Sequence, residues 1–93
     1  MTSTDELSLG QVVSSRAGRD RGRYFVVVEI LDDRFVAVAD GDLRKVENPK
    51  KKNVRHLLVH NDVLPLGEKL RAGERVSNAE LRKMLKAYQS KER

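Results

Sequence analysis

The sequence predicts a mainly β protein, a small five-stranded barrel followed by a C-terminal helical segment. Three observations lead there. Short runs rich in β-branched residues recur over about fifty positions, separated by glycine, asparagine and aspartate turn signals. The pattern changes after Asn61, where a proline- and glycine-punctuated stretch leads into apolar residues at helical spacing. A chain of 93 residues without cysteine supports one modest core and no disulfide, so barrel closure is the simplest way to remove exposed strand edges. The expected division is a barrel over residues 1–60, then a linker and helix over 61–93, packed on or extending from it.

Taken in order, residues 1–6 lack an apolar pattern and are expected to be a frayed tail. Residues 10–13 form the first strand and residues 24–31 the second. The second run is apolar without alternation at its start, as in a central strand covered on both faces. Asp32-Asp33 signals a turn, and residues 35–39 return as the third strand. Asp40-Gly41 suits a type I′ turn, which predicts a fourth strand over 43–46. Glu47-Asn48-Pro49 breaks the pattern, and Lys50, Lys51 and Lys52 are expected in an exposed loop. Residues 53–59 read as the fifth strand, with Val54, His56 and Leu58 on one side. A short helical turn is expected near residues 68–71. Ser77 and Glu80 then stand at the spacing of a capping box, with Val76 and Leu81 as its staple. Leu81, Leu85 and Tyr88, with Met84 beside them, make an apolar stripe that docks either on the chain's own core or on a partner.

The net charge of +5 is sorted into blocks: +3 over residues 16–23, −4 over 24–43 and +5 over 44–56. The first basic block sets Arg16, Arg19, Arg21 and Arg23 around Gly18 and Gly22, with one acid, Asp20. Guanidinium groups match phosphate oxygens in a planar fork. Glycines let such a loop turn at positive φ and bring its backbone close to a bulky ligand. The second block holds Arg44, Lys45, Lys50, Lys51, Lys52 and Arg55. A triple lysine alone is usually a solvated loop. Two basic blocks on neighbouring loops are the footprint of a polyanion binder.

The run from Gly10-Gln11-Val12-Val13 through Ala17-Gly18-Arg19-Asp20-Arg21-Gly22-Arg23-Tyr24 to Phe25-Val26-Val27-Val28 resembles the KOW motif of ribosomal and transcription-factor RNA-binding proteins. Ala39-Asp40-Gly41, the stretch Arg44-Lys45-Val46-Glu47-Asn48-Pro49-Lys50-Lys51-Lys52, and Val54-Arg55-His56-Leu57 extend the likeness to small bacterial KOW proteins. Those are grouped with the large-subunit ribosomal proteins of the fourteen-e type. The resemblance spans roughly Leu7 to His60, and the long extension of the archaeal and eukaryotic relatives is expected to be missing. It implies an SH3-like barrel and an RNA-binding protein, ribosomal or ribosome-associated. The implied partners are structured RNA of the large subunit and neighbouring ribosomal proteins. Arg16, Gly18, Arg19, Arg21, Gly22, Arg23, Arg44, Lys45, Lys50, Lys51, Lys52 and Arg55 are the expected contact residues. The same charges would serve two rivals, a protein-interaction module of the transcription or translation machinery and a duplex DNA-binding accessory protein.

Other chemistry has little support in the residues. The aromatics are Tyr24, Phe25, Phe35 and Tyr88, too few for a platform that stacks unpaired bases, so recognition of RNA shape and backbone is expected. Tyr24, beside the loop, either meets a base or packs at the barrel mouth. His56 and His60 would lie ~13 Å apart along a strand, too far for one metal ion. Ser14 and Ser15 lack a glycine elbow or an obvious histidine partner, and Gly18 and Gly22 lack a Walker ending. No enzyme activity, cofactor or metal is therefore expected. No run approaches the ~18 apolar residues of a membrane span, and the polar, acidic start is unlike a signal peptide. A cytoplasmic monomer without a membrane partner is expected.

Overall fold

The computed structural model describes residues 3–91. Its strands are β1 (Gln11–Ser15), β2 (Tyr24–Ile30), β3 (Phe35–Ala39), β4 (Lys50–Asn53) and β5 (Leu57–Val63), followed by helices α1 (Leu66–Arg71) and α2 (Asn78–Lys91). The strands pair antiparallel in the order β4-β3-β2-β1-β5. The two edge strands are thus consecutive in the chain, joined by one 3-10 turn, Val54–His56. In a flat sheet those edges would stand about 19 Å apart, four strand spacings. The chain from Asn53 to Leu57 reaches at most about 14 Å even when extended. The sheet therefore curls, as expected for this mainly β fold and consistently with an SH3-like barrel.

Curling gives the sheet an inner and an outer face, and both are apolar. Val13, Phe25, Val27, Val36 and Val38 point inward with Leu7, Val54 and Leu57. Val12, Val26 and Ala39 point outward, beneath Leu66 of α1 and Leu81, Leu85 and Tyr88 of α2. Neighbours on a strand face opposite ways, which is why residues 25–28 read as an unbroken apolar run. The helical stripe thus docks on the chain's own sheet. At the start of α2, Ser77 Oγ accepts the Glu80 N–H at 3.1 Å. The Glu80 carboxylate accepts a bond from Lys69 Nζ at 3.0 Å, tying α2 to α1.

Four local expectations are corrected. Residues 43–46 form no strand. A type I′ turn needs positive φ at Asp40 as well as Gly41, and among the described residues only glycines have it. Instead, Asp40 Oδ1 accepts the N–H groups of Asp42 and Arg44, both at 2.9 Å. Asn78 Oδ1 accepts that of Val46 at 2.8 Å. Side chains thus satisfy donors that a strand would have paired. The lysine run is not a loop but β4, with Lys50, Lys51 and Lys52 opposite Val38, Ala37 and Val36.

The fifth strand begins at Leu57 rather than Asn53, because the Asn53 side chain accepts the Arg55 N–H at 3.0 Å and starts the 3-10 turn. The turn breaks the alternation, leaving Val54 buried but His56 and Leu58 exposed. The N-terminal segment is also held, within its described part. Thr4 donates from its N–H to Asp33 O and from its hydroxyl to Asp32 O, at 2.9 and 2.7 Å, and Leu7 enters the core. Met1 and Thr2, the rest of the expected tail, lie outside the described residues.

Gly41, at φ +80°, lies against the first turn of α2, and a Cβ there would meet the Asn78 carbonyl oxygen. Gly18, at φ +73°, faces open space. Gly41→Ala should therefore cost more stability than Gly18→Ala. The backbone conformation accounts for about 1–3 kcal/mol in each, and Gly41→Ala adds the displacement of α2. Urea unfolding of the two variants measures the difference.

Candidate nucleic-acid interface

The arginine loop is held by its own backbone. Gly18–Asp20 forms a 3-10 turn in which the Arg21 N–H reaches Gly18 O at 3.3 Å. The Arg23 N–H then reaches Asp20 O at 2.8 Å. The loop folds back on the end of β1, where Ser15 N–H donates to Arg23 O at 3.0 Å and Gly22 N–H donates to Ser15 O at 2.8 Å. Arg16 N–H donates to His56 O at 2.8 Å, which anchors the loop to the connection between β4 and β5. Positive φ at Gly18 and Gly22 makes these reversals, and a Cβ at either would touch nothing within 4 Å. Both glycines thus serve the turns and leave the backbone open on the solvent side. Arg16, Arg19 and Arg21 are exposed there.

Asp20 joins the two basic blocks. Its Oδ2 accepts from Lys50 Nζ at 2.8 Å and lies 3.6 Å from Lys52 Nζ. Lys52 Nζ also donates to Ser15 Oγ at 3.3 Å. Strand alternation divides the lysines: Lys50 and Lys52 face the arginine loop, whereas Lys51 lies on the other side, its Nζ 4.5 Å from the centre of the Phe35 ring. Arg44 is half-buried on the connection between β3 and β4, where its N–H reaches Asp40 Oδ1, and after Lys50 and Lys52 its charge helps to lower the Asp20 pKa. Arg55 is exposed in the 3-10 turn to which the loop is bonded through Arg16, and Lys45 is exposed on the connection between β3 and β4.

Arg23 is the loop arginine most committed to the fold. Its Nε donates to Asp40 Oδ2 at 2.9 Å, and its guanidinium lies 3.6 Å from Asp42. This pair sits on one side of a cleft of about 580 Å³ whose far wall is α2, with Arg82, Leu85, Lys86 and Gln89 facing it. Arg82 donates to Gly41 O at 2.6 Å. Nothing in the sequence shows that the basic residues of α2 stand across from the arginine loop, because that placement comes from packing over the sheet.

A second cluster was also hidden in the sequence. Ser14 Oγ lies 3.0 Å from His60 Nε2, across the β1–β5 pair. The Tyr24 ring stacks on His60 with centroids 4.9 Å apart, and Tyr88 of α2 stands 6.1 Å from each ring. Ser14 therefore has the histidine neighbour its sequence context did not reveal. It is buried beneath the helical layer, 6% exposed, in a position that joins strands rather than meets a substrate. Gln11, equally buried, donates to His60 O at 2.6 Å beside the irregularity in the β1–β5 register. Among the described residues no group of three metal-ligating side chains converges, and no helix is long and apolar enough to cross a membrane.

No family model matches the chain. Over 51 residues it is 33% identical to "Large ribosomal subunit protein eL14" of Desulfurococcus amylolyticus, an alignment covering 55% of this chain and 53% of that protein. The chain thus spans about half the length of that relative. Over 57 residues it is 37% identical to "Putative ribosome-binding protein YbzG" of Bacillus subtilis, covering 61% of this chain and 77% of that protein. The chain belongs to the family of YbzG. In this YbzG-family chain the aligned length is of the order of the barrel alone, and the chemistry of its basic end rests on the residues described above.

The Asp20 carboxyl is held below the usual carboxylate range, first by its hydrogen bond from Lys50, then by the charges of Lys50, Lys52 and Arg44, with burial opposing them. A folded-state pKa below the unfolded value contributes stability that is complete above about pH 4 and is lost as pH falls through the folded value. Asp20→Asn should therefore reduce stability at pH 7 by about 1 kcal/mol. The gap between variant and parent should close as pH falls below about 4. Denaturant titrations of both proteins from pH 7 to pH 2.5 check the sign.

Proposed function

We propose that this YbzG-family protein attaches to structured RNA of the ribosome, on the large subunit, as a cytoplasmic ribosome-associated protein. The observation that carries the reading is the Asp20 junction. One carboxylate draws Lys50 and Lys52 against the arginine loop, so that two basic blocks thirty residues apart in the chain form one surface. Arg16, Arg19 and Arg21 stand exposed on the same loop, Arg44, Lys45 and Arg55 add positive charge on the connections before and after β4, and the open backbone at Gly18 and Gly22 lets the loop approach phosphates. The names of the relatives support the same direction: one is a large-subunit ribosomal protein and the other is named for ribosome binding.

Attachment is electrostatic. With about five phosphates neutralised, the logarithm of affinity falls with the logarithm of salt at a slope of roughly −0.7 to −0.9 per contact. A folded RNA suits a preformed surface of this kind, because the loop's hydrogen bonds already fix where its arginines stand. Lys51, turned toward Phe35, adds charge to the neighbouring face rather than to the junction itself.

Replacing both Arg19 and Arg21 by alanine should weaken binding to large-subunit RNA and reduce the salt slope by about two, one per lost contact. Thermal stability should stay near that of the parent, since both side chains are exposed. Anisotropy titrations over a salt series measure the slope, with duplex DNA of equal length as competitor. A slope left unchanged by the double substitution would count against the loop, and stronger binding to DNA would move the assignment to the duplex.

A further inference from the structure

We propose that the cleft between the arginine loop and α2 receives one unpaired nucleotide turned out of the bound RNA, a step that rests on the RNA reading above. The cleft holds about 580 Å³, within the range of small-ligand sites of roughly 300–1,000 Å³. Its charge suits an anion. The three acids that border it are already occupied, Asp20 by Lys50 and Asp40 and Asp42 by Arg23. Arg19 and Arg21 on one wall and Lys86 on the other have no ion-pair partner among the described residues. They are placed to hold the phosphates on either side of a single nucleotide.

The interior suits a base. Leu43 stands at the cleft with 64% of its surface exposed, and Leu85 lies deeper at 4%. An exposed leucine among charged neighbours gains when a planar apolar face covers it. Guanidinium planes such as those of Arg19 and Arg21 also stack on bases. Gln89 brings an amide that both donates and accepts, the complement of a base edge. A paired helix presents its backbone and cannot fill such a cleft, whereas a bulged or loop nucleotide can. The walls are fixed without a ligand: Arg82 bonds Gly41 O at 2.6 Å, and Arg23 bonds Asp40 at 2.9 Å.

The test uses two RNA hairpins that differ by one unpaired nucleotide, with the full chain and its Lys86→Ala/Gln89→Ala variant. The parent should bind the bulged hairpin about tenfold more tightly, the worth of one stacked base. The variant should lose that preference while binding the paired hairpin within a factor of about three of the parent, with an unchanged melting curve. Amide shifts at Leu43 and Gln89 on adding a nucleoside 5′-monophosphate report occupancy of the same cleft. Equal affinity of the parent for both hairpins overturns the cleft and leaves loop attachment standing. Failure to bind either hairpin overturns attachment and cleft together. Mononucleotide shifts with equal hairpin affinities make this a free-nucleotide site and overturn the RNA-borne form.

Discussion

Two strands that sit at opposite edges of the sheet are only one 3-10 turn apart in the chain, and that covalent limit shapes everything else. The sheet must curl until β4 and β5 approach each other. Curling creates a protected interior for Phe25 and the valines and brings the two edges of the sheet, β4 and β5, toward each other. It also gathers the connections at the closing end. The arginine loop, the 3-10 turn and the start of β5 meet there because Arg16 bonds His56 O and Ser15 bonds across to Arg23 O. A flat sheet with the same pairings would have left the arginine loop far from β4.

Within that closed end, electrostatics does the sorting. Asp20 holds two lysines that would otherwise repel the arginines beside them. Asp40 does the corresponding work on the other side, binding Arg23 while its second oxygen organises the turn after β3 that packs against α2. Each acid is mostly buried and fully engaged, so neither presents a free negative charge to an approaching polyanion. The arginines with the least to do inside the fold, Arg16, Arg19 and Arg21, are the ones left facing solvent. Interior pairing and exterior charge therefore come from one arrangement, with the acids consumed in holding the scaffold together.

Much of this was legible in the residue pattern. The central strand covered on both faces was visible at the start of the run 24–31, and a helix with an apolar stripe in the spacing of Leu81, Leu85 and Tyr88, although that spacing left open whether it docks on the chain itself or on a partner. The Asp32 turn was visible too, and its carboxylate accepts the N–H groups of Arg34 and Phe35 as that residue type invites. The segment between β3 and β5 was not. Lys50, Lys51 and Lys52 read as a solvated loop because the hydrophobic signal of a strand is missing. Their strand is an edge that pairs through its backbone with β3, while Asp20 neutralises the face turned inward. Residues 43–46 misled in the opposite way, since Asp40 and Asn78 satisfy their backbone through side chains distant in sequence.

Local chemistry, by itself, determined the alternation, the caps, the glycines that turn the arginine loop and the presence of two basic blocks, because each depends on residues within a few positions of one another. What only the tertiary structure decided is which of those charges meet. Asp20 with Lys50, Arg23 with Asp40, His60 with Ser14 and Tyr24, and the face of α2 set across from the loop all join residues far apart in the chain. Those meetings are fixed by strand register and by the curl that a short connection forces on the sheet, and neither is a property of any one stretch of sequence.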